Sequence, residues 1–186
     1  MAGSLVQVDT FTVSSAVSSI IIGGGTDSSS GIDFEINTDD VYMLTAVGIK
    51  TATDNTYTKL RVTNSDGSGG ASADTTSNYD LAYEVLRADA AFSTNEEQNE
   101  AEAYINHSLG TGTSELGNFI IYLYNFNSSS EYSFGSVETC DVRYDTKLMS
   151  RTGGFAHTVA SASNGVQLYM SSGNIAGGTF TLYRMI

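Results

Sequence analysis

The chain has 186 residues and a net charge of −13, from 21 acidic and 8 basic side chains. This length fits one domain, so residues 1–186 are predicted to fold as a single unit. The basic residues are scattered, which argues against a nucleic-acid partner, because phosphate binding needs a concentrated basic face. No segment reads as a signal peptide or a bilayer-spanning helix, so no membrane partner is expected.

Short runs with the alternation of a β-strand recur along the chain. Proline is absent, so Gly, Asn, Asp and Ser must make the turns between them. About a dozen such runs predict an all-β fold, a two-sheet β-sandwich or jelly roll with long Gly/Ser loops at 23–31 and 65–74. The predicted strands are 4–8, 11–15, 19–23, 32–37, 41–49, 58–64, 81–87, 118–126, 132–140, 142–149, 157–161 and two closing runs within 165–186.

One acidic segment, STNEEQNEAEAYI (93–105), lacks this alternation. Ser93 or Thr94 could cap a helix, with Glu96 or Glu97 three residues on. The same residues could equally form a polar surface loop. The segment is therefore predicted to be either a short helix or a loop.

The strand NFIIYLYNF (118–126) is apolar or aromatic on both faces. A strand of this kind lies inside a sheet, with one face in the core. The other face is either covered by another subunit or directs its tyrosine hydroxyls to solvent. Its two faces comprise Phe119, Ile121, Leu123 and Asn125 on one side, and Ile120, Tyr122, Tyr124 and Phe126 on the other.

The closing strand, Thr179–Ile186, is predicted to have its edges paired, either within its own sheet or against a neighbouring chain. Its apolar side chains, with two tyrosines of the strand 118–126, are the candidate subunit contacts. The full candidate set is Tyr122, Tyr124, Phe180, Leu182, Tyr183, Met185 and Ile186. Core packing is the alternative role for these tyrosines.

Tyrosine can also stack on sugar rings, and Tyr132 and Tyr169 are the candidate glycan contacts. Because tryptophan is absent, a lectin built on a Trp platform is disfavoured.

Catalytic and metal-binding motifs are not recognisable, so no catalytic residue, cofactor or metal ligand is predicted. His107 and His157 have no metal-ligand spacing. Cys140, beside Glu138 and Asp141, is expected to be a small buried hydrophobe and a poor nucleophile.

Paired carboxylates at Asp39-Asp40 and Glu96-Glu97 are expected in solvated loops rather than in a glycosidase cleft. Asp66 and Asp74 in TNSDGSGGASAD (63–74) could supply oxygens to calcium, although the spacing matches no EF-hand loop.

Several stretches resemble virion structural and tail-associated proteins of marine tailed bacteriophages such as those of cyanobacteria. The similarity covers most of residues 74–184 and is carried by DTTSNYD (74–80), VLRAD (85–89), YLYNFNSSSEYSF (122–134) and HTVASASNGVQLYMSSGNIAGGTFTLYR (157–184). The acidic stretch NEEQNEAE (95–102) departs from the family pattern, and its role stays open. The resemblance implies a place in the virion, with assembly in the host cytoplasm and other head or tail proteins as partners.

The leading expectation is therefore a non-enzymatic homo-oligomer, with a trimer first, acting as a capsid decoration protein or a tail or fibre component. The alternative is a lectin-like module that binds host surface glycans. A polysaccharide depolymerase is a third, weaker hypothesis.

Overall fold

The computed structural model describes residues 3–24, 30–34, 36, 41–67 and 70–186, and all regular secondary structure in this part of the chain is β-strand. No helix there is long and apolar enough to cross a bilayer. The strands are β1 (Leu5–Thr12), β2 (Ser19–Gly23), β3 (Gly31–Ile32), β4 (Val41–Thr51), β5 (Thr58–Ser65), β6 (Ala71–Ala73), β7 (Tyr79–Arg87), β8 (Ala90–Glu100), β9 (Ala103–Tyr104), β10 (Gly117–Tyr124), β11 (Ser133–Thr139), β12 (Asp141–Val142), β13 (Leu148–His157), β14 (Gly165–Met170) and β15 (Ile175–Met185).

The strands form two sheets. The nine-stranded sheet has the order β1-β15-β4-β10-β11-β13-β7-β8, with β12 also pairing with β13. The six-stranded sheet has the order β3-β2-β14-β5-β6, with β9 also pairing with β5. Every pairing is antiparallel except that of β2 with β3.

One apolar core fills the space between the sheets. Alternation along β10 places Phe119, Ile121 and Leu123 inside, each at most 3 % exposed. Leu60 and Leu168 of the smaller sheet are both fully buried in the same core. The predicted all-β two-sheet sandwich is thus confirmed, while the jelly-roll connectivity stays a prediction.

Gly135 leaves room for a buried aromatic ring on the inner face of the large sheet. It stands opposite Phe155 in the register of β11 and β13. A Cβ at position 135 would lie 2.2 Å from a ring carbon of Phe155. The ring therefore fills the space that a side chain at Gly135 would need.

Several predicted strand boundaries are wrong. The predicted strands 4–8 and 11–15 overlap a single strand, β1, which ends at Thr12. Of the predicted strand 157–161, only His157 is in a strand, as the last residue of β13. The run 142–149 contains a turn instead of a continuous strand, because Thr146 adopts a positive φ of 64° and its N–H donates to the Arg143 carbonyl. The run 32–37 lies partly outside the described residues.

The predictions of a helix or a loop for 93–105 are also wrong. Residues 90–100 form β8, which pairs along its length with β7 and places Asn95 opposite Tyr83. The neighbouring strand supplies the backbone hydrogen bonds, and this tertiary pairing overrides the helical propensity of the glutamates.

The closing strand, β15, lies inside its sheet rather than at an edge. It pairs with β1 on one side and β4 on the other. The sequence left open whether the edges of this strand pair within the chain or with a neighbouring chain. The structure shows pairing within the chain.

Candidate functional site

The outer face of the large sheet carries an area without charged side chains, here called the uncharged face. It spans four adjacent strands, β1, β15, β4 and β10, between residues 5–12, 179–185, 41–47 and 120–124. Its outward-facing side chains are Leu5, Gln7, Thr10, Thr12, Val41, Met43, Thr45, Val47, Ile120, Tyr122, Tyr124, Thr179, Thr181, Tyr183 and Met185. Lys50, beyond the bulge near Gly48, marks one end of it.

The strand registers arrange these side chains in rows. Tyr122 stands opposite Met43, which stands opposite Tyr183. In the neighbouring row Met185 lies opposite both Val41 and Leu5. Cross-strand neighbours of this kind pack against each other, so each row is a continuous apolar strip.

The uncharged face is open to solvent in the single chain. Val47 is 63 % exposed, Leu5 50 % and Met185 43 %. Four strands about 4.8 Å apart, with five to eight residues of about 3.4 Å each, give an area of roughly 450 Å² in projection. Apolar side chains and uncharged polar ones share this area, and exposed apolar patches of a few hundred Å² on a monomer often mark a functional surface.

The rest of the same face is acidic. Glu138 on β11, Asp80 and Glu84 on β7, and Glu96 on β8 alternate with inward-facing residues and point outward. The sheet therefore has one uncharged half and one negatively charged half.

A groove of about 830 Å³ crosses the outer side of β11, β13 and β7, next to the uncharged face. Its lining combines small residues, two aromatic rings and three carboxylates: Ala82, Gly154, Ala156, Tyr124, Phe134, Asp80, Glu96 and Glu97. Phe134 is 40 % exposed and continues the row of Tyr124 onto β11.

The sequence-derived contact residues divide into two groups. Tyr122, Tyr124, Tyr183 and Met185 come together on the uncharged face. Ile186, 60 % exposed, follows directly after it, and its N–H donates to the Ser4 carbonyl.

Phe180 and Leu182 do not belong to this surface. Both are fully buried between the sheets, because they alternate with the outward-facing Thr181 and Tyr183. Met43 and Val47 were missed, although the alternation in VYMLTAV carried the signal for them.

The two candidate glycan contacts lie in different surroundings. Tyr132 precedes β11 and is 45 % exposed. Tyr169 lies on β14 in the other sheet, with the Arg61 guanidinium 4.8 Å from the centre of its ring. Tyr169 is thus already packed within the chain.

Cys140 is exposed rather than buried, which corrects the prediction. It lies between β11 and β12, where its N–H donates to the Asn118 carbonyl.

The histidines occupy separate sites. His157 contacts Asp74, while the His107 ring packs edge-on against Tyr57 with 4.3 Å between ring centres. Within the described ranges, no group of three or more His, Cys, Asp or Glu could hold a metal ion.

The carboxylates proposed for calcium have protein partners. Asp74 accepts hydrogen bonds from Thr76 and Asn78, and Asp66 accepts one from the Gly70 N–H. Glu96 and Glu97 lie on β8 and not in a solvated loop, and they point to opposite faces. Asp39 and Asp40 lie outside the described residues.

Comparisons with known proteins found no relative of this chain. No family model, no curated protein and no solved structure matches the chain.

Proposed function

We propose that this protein is a non-enzymatic structural component of a bacteriophage virion, and that its copies assemble through the uncharged face. A trimer is the first expectation for the oligomer. The protein would act as a capsid decoration or cement protein, or as a tail or fibre component, with other virion proteins as further partners.

The absence of charge from the uncharged face is the observation that carries this proposal. Of the 21 acidic residues of the chain, only Asp9 falls within these four strand segments, next to the bulge of the edge strand β1 and opposite the inward-facing Leu182. Interface cores are depleted of charged residues and enriched in Tyr and Met, as this face is. Negative charge over the rest of the surface disfavours non-specific association.

A second copy of the chain presents the same uncharged surface, so it fits this face better than a charged partner would. Sheets pack face to face about 10 Å apart with their apolar side chains interdigitated. The rows of Tyr122, Met43 and Tyr183 offer such a layer, and the adjoining groove gives room for projecting side chains of the neighbour.

The virion setting is supported by the resemblance of residues 74–184 to structural proteins of marine tailed phages. On this proposal the protein is made in the host cytoplasm and incorporated into the particle. Electron microscopy of intact particles carrying a tagged copy would distinguish head from tail.

Native mass spectrometry and light scattering at micromolar concentration test the assembly. Tyr122→Glu places a charge in the middle of the uncharged face and should convert oligomer to monomer. Leu86→Glu adds the same charge on β7, in the acidic half, at a position that is 47 % exposed and opposite Ser150, and it should leave the oligomer intact. A wild-type protein that is monomeric under these conditions, or an oligomer that tolerates Tyr122→Glu, would contradict the proposal.

A lectin-like receptor-binding role is the second candidate, favoured by the exposure of Tyr132. A glycan array should then show saturable binding that Tyr132→Ala abolishes. Binding that survives this substitution would exclude Tyr132 as the contact.

A further inference from the structure

A second site lies away from the uncharged face, in a cavity of about 450 Å³ beside the β7–β8 hairpin. Small-molecule sites typically have volumes of roughly 300–1,000 Å³. Three arginines, one histidine and two tyrosines form much of its lining: Arg87, Arg143, Arg151, His107, Tyr57 and Tyr104.

The cavity concentrates positive charge in an acidic protein. Three of the 8 basic residues of the chain line it. Arg87 is more than 50 positions from Arg143 and Arg151 in the sequence, and β7, the turn after β12, and β13 bring the three together. Such clustering in a chain of net charge −13 is unexpected for residues that only promote solubility.

Arg151 is a buried cation without an acidic partner. It is 2 % exposed, and its Nη2 donates to the Asn95 Oδ1 at 2.7 Å. Its Nη1 donates to the Tyr104 carbonyl at 3.2 Å, and its Nε has no hydrogen-bond partner. Among the described carboxylates, none lies within 4.0 Å of its guanidinium.

Other arginines and lysines of this region have partners. Glu102 binds both Lys59, at 2.6 Å, and Arg61, at 2.8 Å. Arg87 is held by Asp89 at 3.1 Å. Buried charges are normally paired, but Arg151 has only the longer-range attraction of Asp141 and Glu97 and the ring of Tyr83, 4.8 Å from its guanidinium. An anion in the cavity would give it a direct partner.

Arg143 is only partly satisfied. It is 8 % exposed, and Asp145 contacts its Nη2 at 3.4 Å. The Nε and Nη1 of Arg143 are buried without hydrogen-bond partners. A guanidinium with free donors is suited to make charge-assisted hydrogen bonds to a carboxylate.

The protonation state of His107 is consistent with a positively charged cavity. Burial, together with the charges of Arg151, Arg143 and Arg87, lowers the pKa of His107 to about 4. The ring is therefore neutral at pH 7. Its Nδ1 lies 2.6 Å from the Oγ of Ser108, a residue held at a positive φ of 60°.

The remaining lining residues narrow the class of anion. Glu97 and Asn95 would accept hydrogen bonds from hydroxyl groups, and Glu97 would repel a doubly charged phosphate. Tyr57 and Tyr104 offer rings for the C–H face of a sugar. A ligand with one carboxylate and several hydroxyls matches this combination best.

We propose that this cavity binds an acidic monosaccharide unit of the uronic acid type, with its carboxylate on Arg143 and Arg151 and its hydroxyls on Asn95 and Glu97. This site is separate from the uncharged face and goes beyond the assembly role. It would be available in a monomer as well as in an oligomer.

Titration of ¹⁵N-labelled protein with sodium glucuronate tests the proposal, with glucose and inorganic phosphate as comparison ligands. Glucuronate should give saturable shifts of amide signals at Tyr57, Asn95 and His107 by roughly 50 mM, well above the millimolar Kd expected for few contacts. Glucose should give none, because it lacks the carboxylate. Absence of saturable shifts with glucuronate, or equal shifts with glucose, would overturn the proposal.

Phosphate distinguishes a sugar carboxylate from a simple anion. Saturable binding of phosphate at these residues, with none of glucuronate, would overturn the assignment to an acidic sugar. Weaker binding of phosphate than of glucuronate supports it, because Glu97 opposes the second charge.

Substitutions then test the arginines. Arg143→Gln should weaken glucuronate binding about tenfold, the effect of one lost charge-assisted hydrogen bond. Arg87→Gln, at a more exposed position, should weaken it about threefold and is the variant to use if Arg143→Gln fails to fold. Lys50→Gln removes the same charge far from the cavity and should leave the Kd unchanged. An equal loss of binding in Lys50→Gln and Arg87→Gln would contradict the site.

Discussion

Asp74 and His157 join the two sheets through a hydrogen bond of 2.8 Å between Oδ2 and Nε2. Asp74 follows β6 of the small sheet, and His157 ends β13 of the large sheet. Tyr79 of β7 lies beside them: its hydroxyl donates to the Asp74 carbonyl and accepts from the Val62 N–H. These contacts hold one end of the sandwich closed.

Removing the Asp74 carboxylate should destabilise the protein. Asp74→Ala leaves the fully buried His157 without its acceptor, and we expect a loss of about 2 kcal/mol in the free energy of unfolding. Chemical denaturation at pH 7 measures this loss. Glu84→Ala, on the exposed outer face of β7, is the matched control and should change stability by less than about 0.5 kcal/mol.

The contact between Asp74 and His157 should also make the stability of the protein fall at low pH. Hydrogen bonds from Thr76, His157 and Asn78 outweigh the effect of burial and hold the pKa of Asp74 well below its usual 3.8. Its stabilising contribution is therefore complete above about pH 4 and is lost as the pH falls towards the lower folded-state pKa. Melting temperatures between pH 2 and pH 5 should fall more steeply for wild type than for Asp74→Ala.

Asp141 should make the stability of the protein depend on pH in the opposite direction. Burial raises its pKa from 3.8 to about 7, and hydrogen bonds from Asn118, Thr139 and Asn106 offset this only in part. The folded state then keeps a proton that the unfolded state has lost, so stability falls as the pH rises from about 4 to about 7. The size of this effect is at most about 4 kcal/mol, at 1.36 kcal/mol per pH unit.

Asp141→Asn should remove that decline. An amide oxygen can still accept from the Asn118 N–H and from the Asn106 side chain, at present 2.9 Å and 2.5 Å from Oδ1. The variant should melt higher than wild type at pH 8 in a circular dichroism scan. A lower melting temperature at pH 8 would show that the buried carboxylate stabilises the fold.

Gly135→Ala should destabilise the sandwich by about 2 kcal/mol, because its Cβ would overlap the Phe155 ring. Ser136→Ala, the next residue on the outer face, should have little effect. Phe155→Leu removes part of the ring, so the double variant Gly135→Ala/Phe155→Leu should lose less stability than the sum of the two single changes. Strict additivity in urea denaturation would contradict this packing.

The strand β15 should be indispensable for folding. Phe180→Ala empties a fully buried core position and should cost about 3–5 kcal/mol. Deleting Thr179–Ile186 would leave both β1 and β4 without their partner strand and should prevent soluble expression. Thr179→Ala, at a surface position of the same strand, serves as the control. A soluble truncated chain with an unchanged melting temperature would contradict this role.

The sequence predicted the sandwich because local alternation determines which side chains of a strand are buried. The inward triad Phe119, Ile121 and Leu123 follows directly from this period of two. The same period located Tyr122 and Tyr124 on the opposite, outward face. Phe180 and Leu182 were misassigned because alternation separates the two faces of a strand but does not show which one meets the core.

The arginine cavity could not be predicted, because its residues meet only through the strand order. Arg87 and Arg151 stand on β7 and β13, which are adjacent strands far apart in sequence. The acidic strand β8 escaped detection for a related reason. Asn95 and Glu97 face the arginines there, and a polar inward face has no hydrophobic period to reveal it.

The pairing of β1 with β15 has a consequence for biosynthesis. Thr10 and Thr181 share a hydrogen bond across 171 positions, so β1 leaves the ribosome long before its partner strand β15 is made. At about 5–20 residues per second this delay lasts on the order of ten to thirty seconds. Meanwhile β1 remains without its partner, and a long loop must close before the sheet is complete. Such a chain should fold slowly, only after β15 has been made, and it should benefit from chaperones.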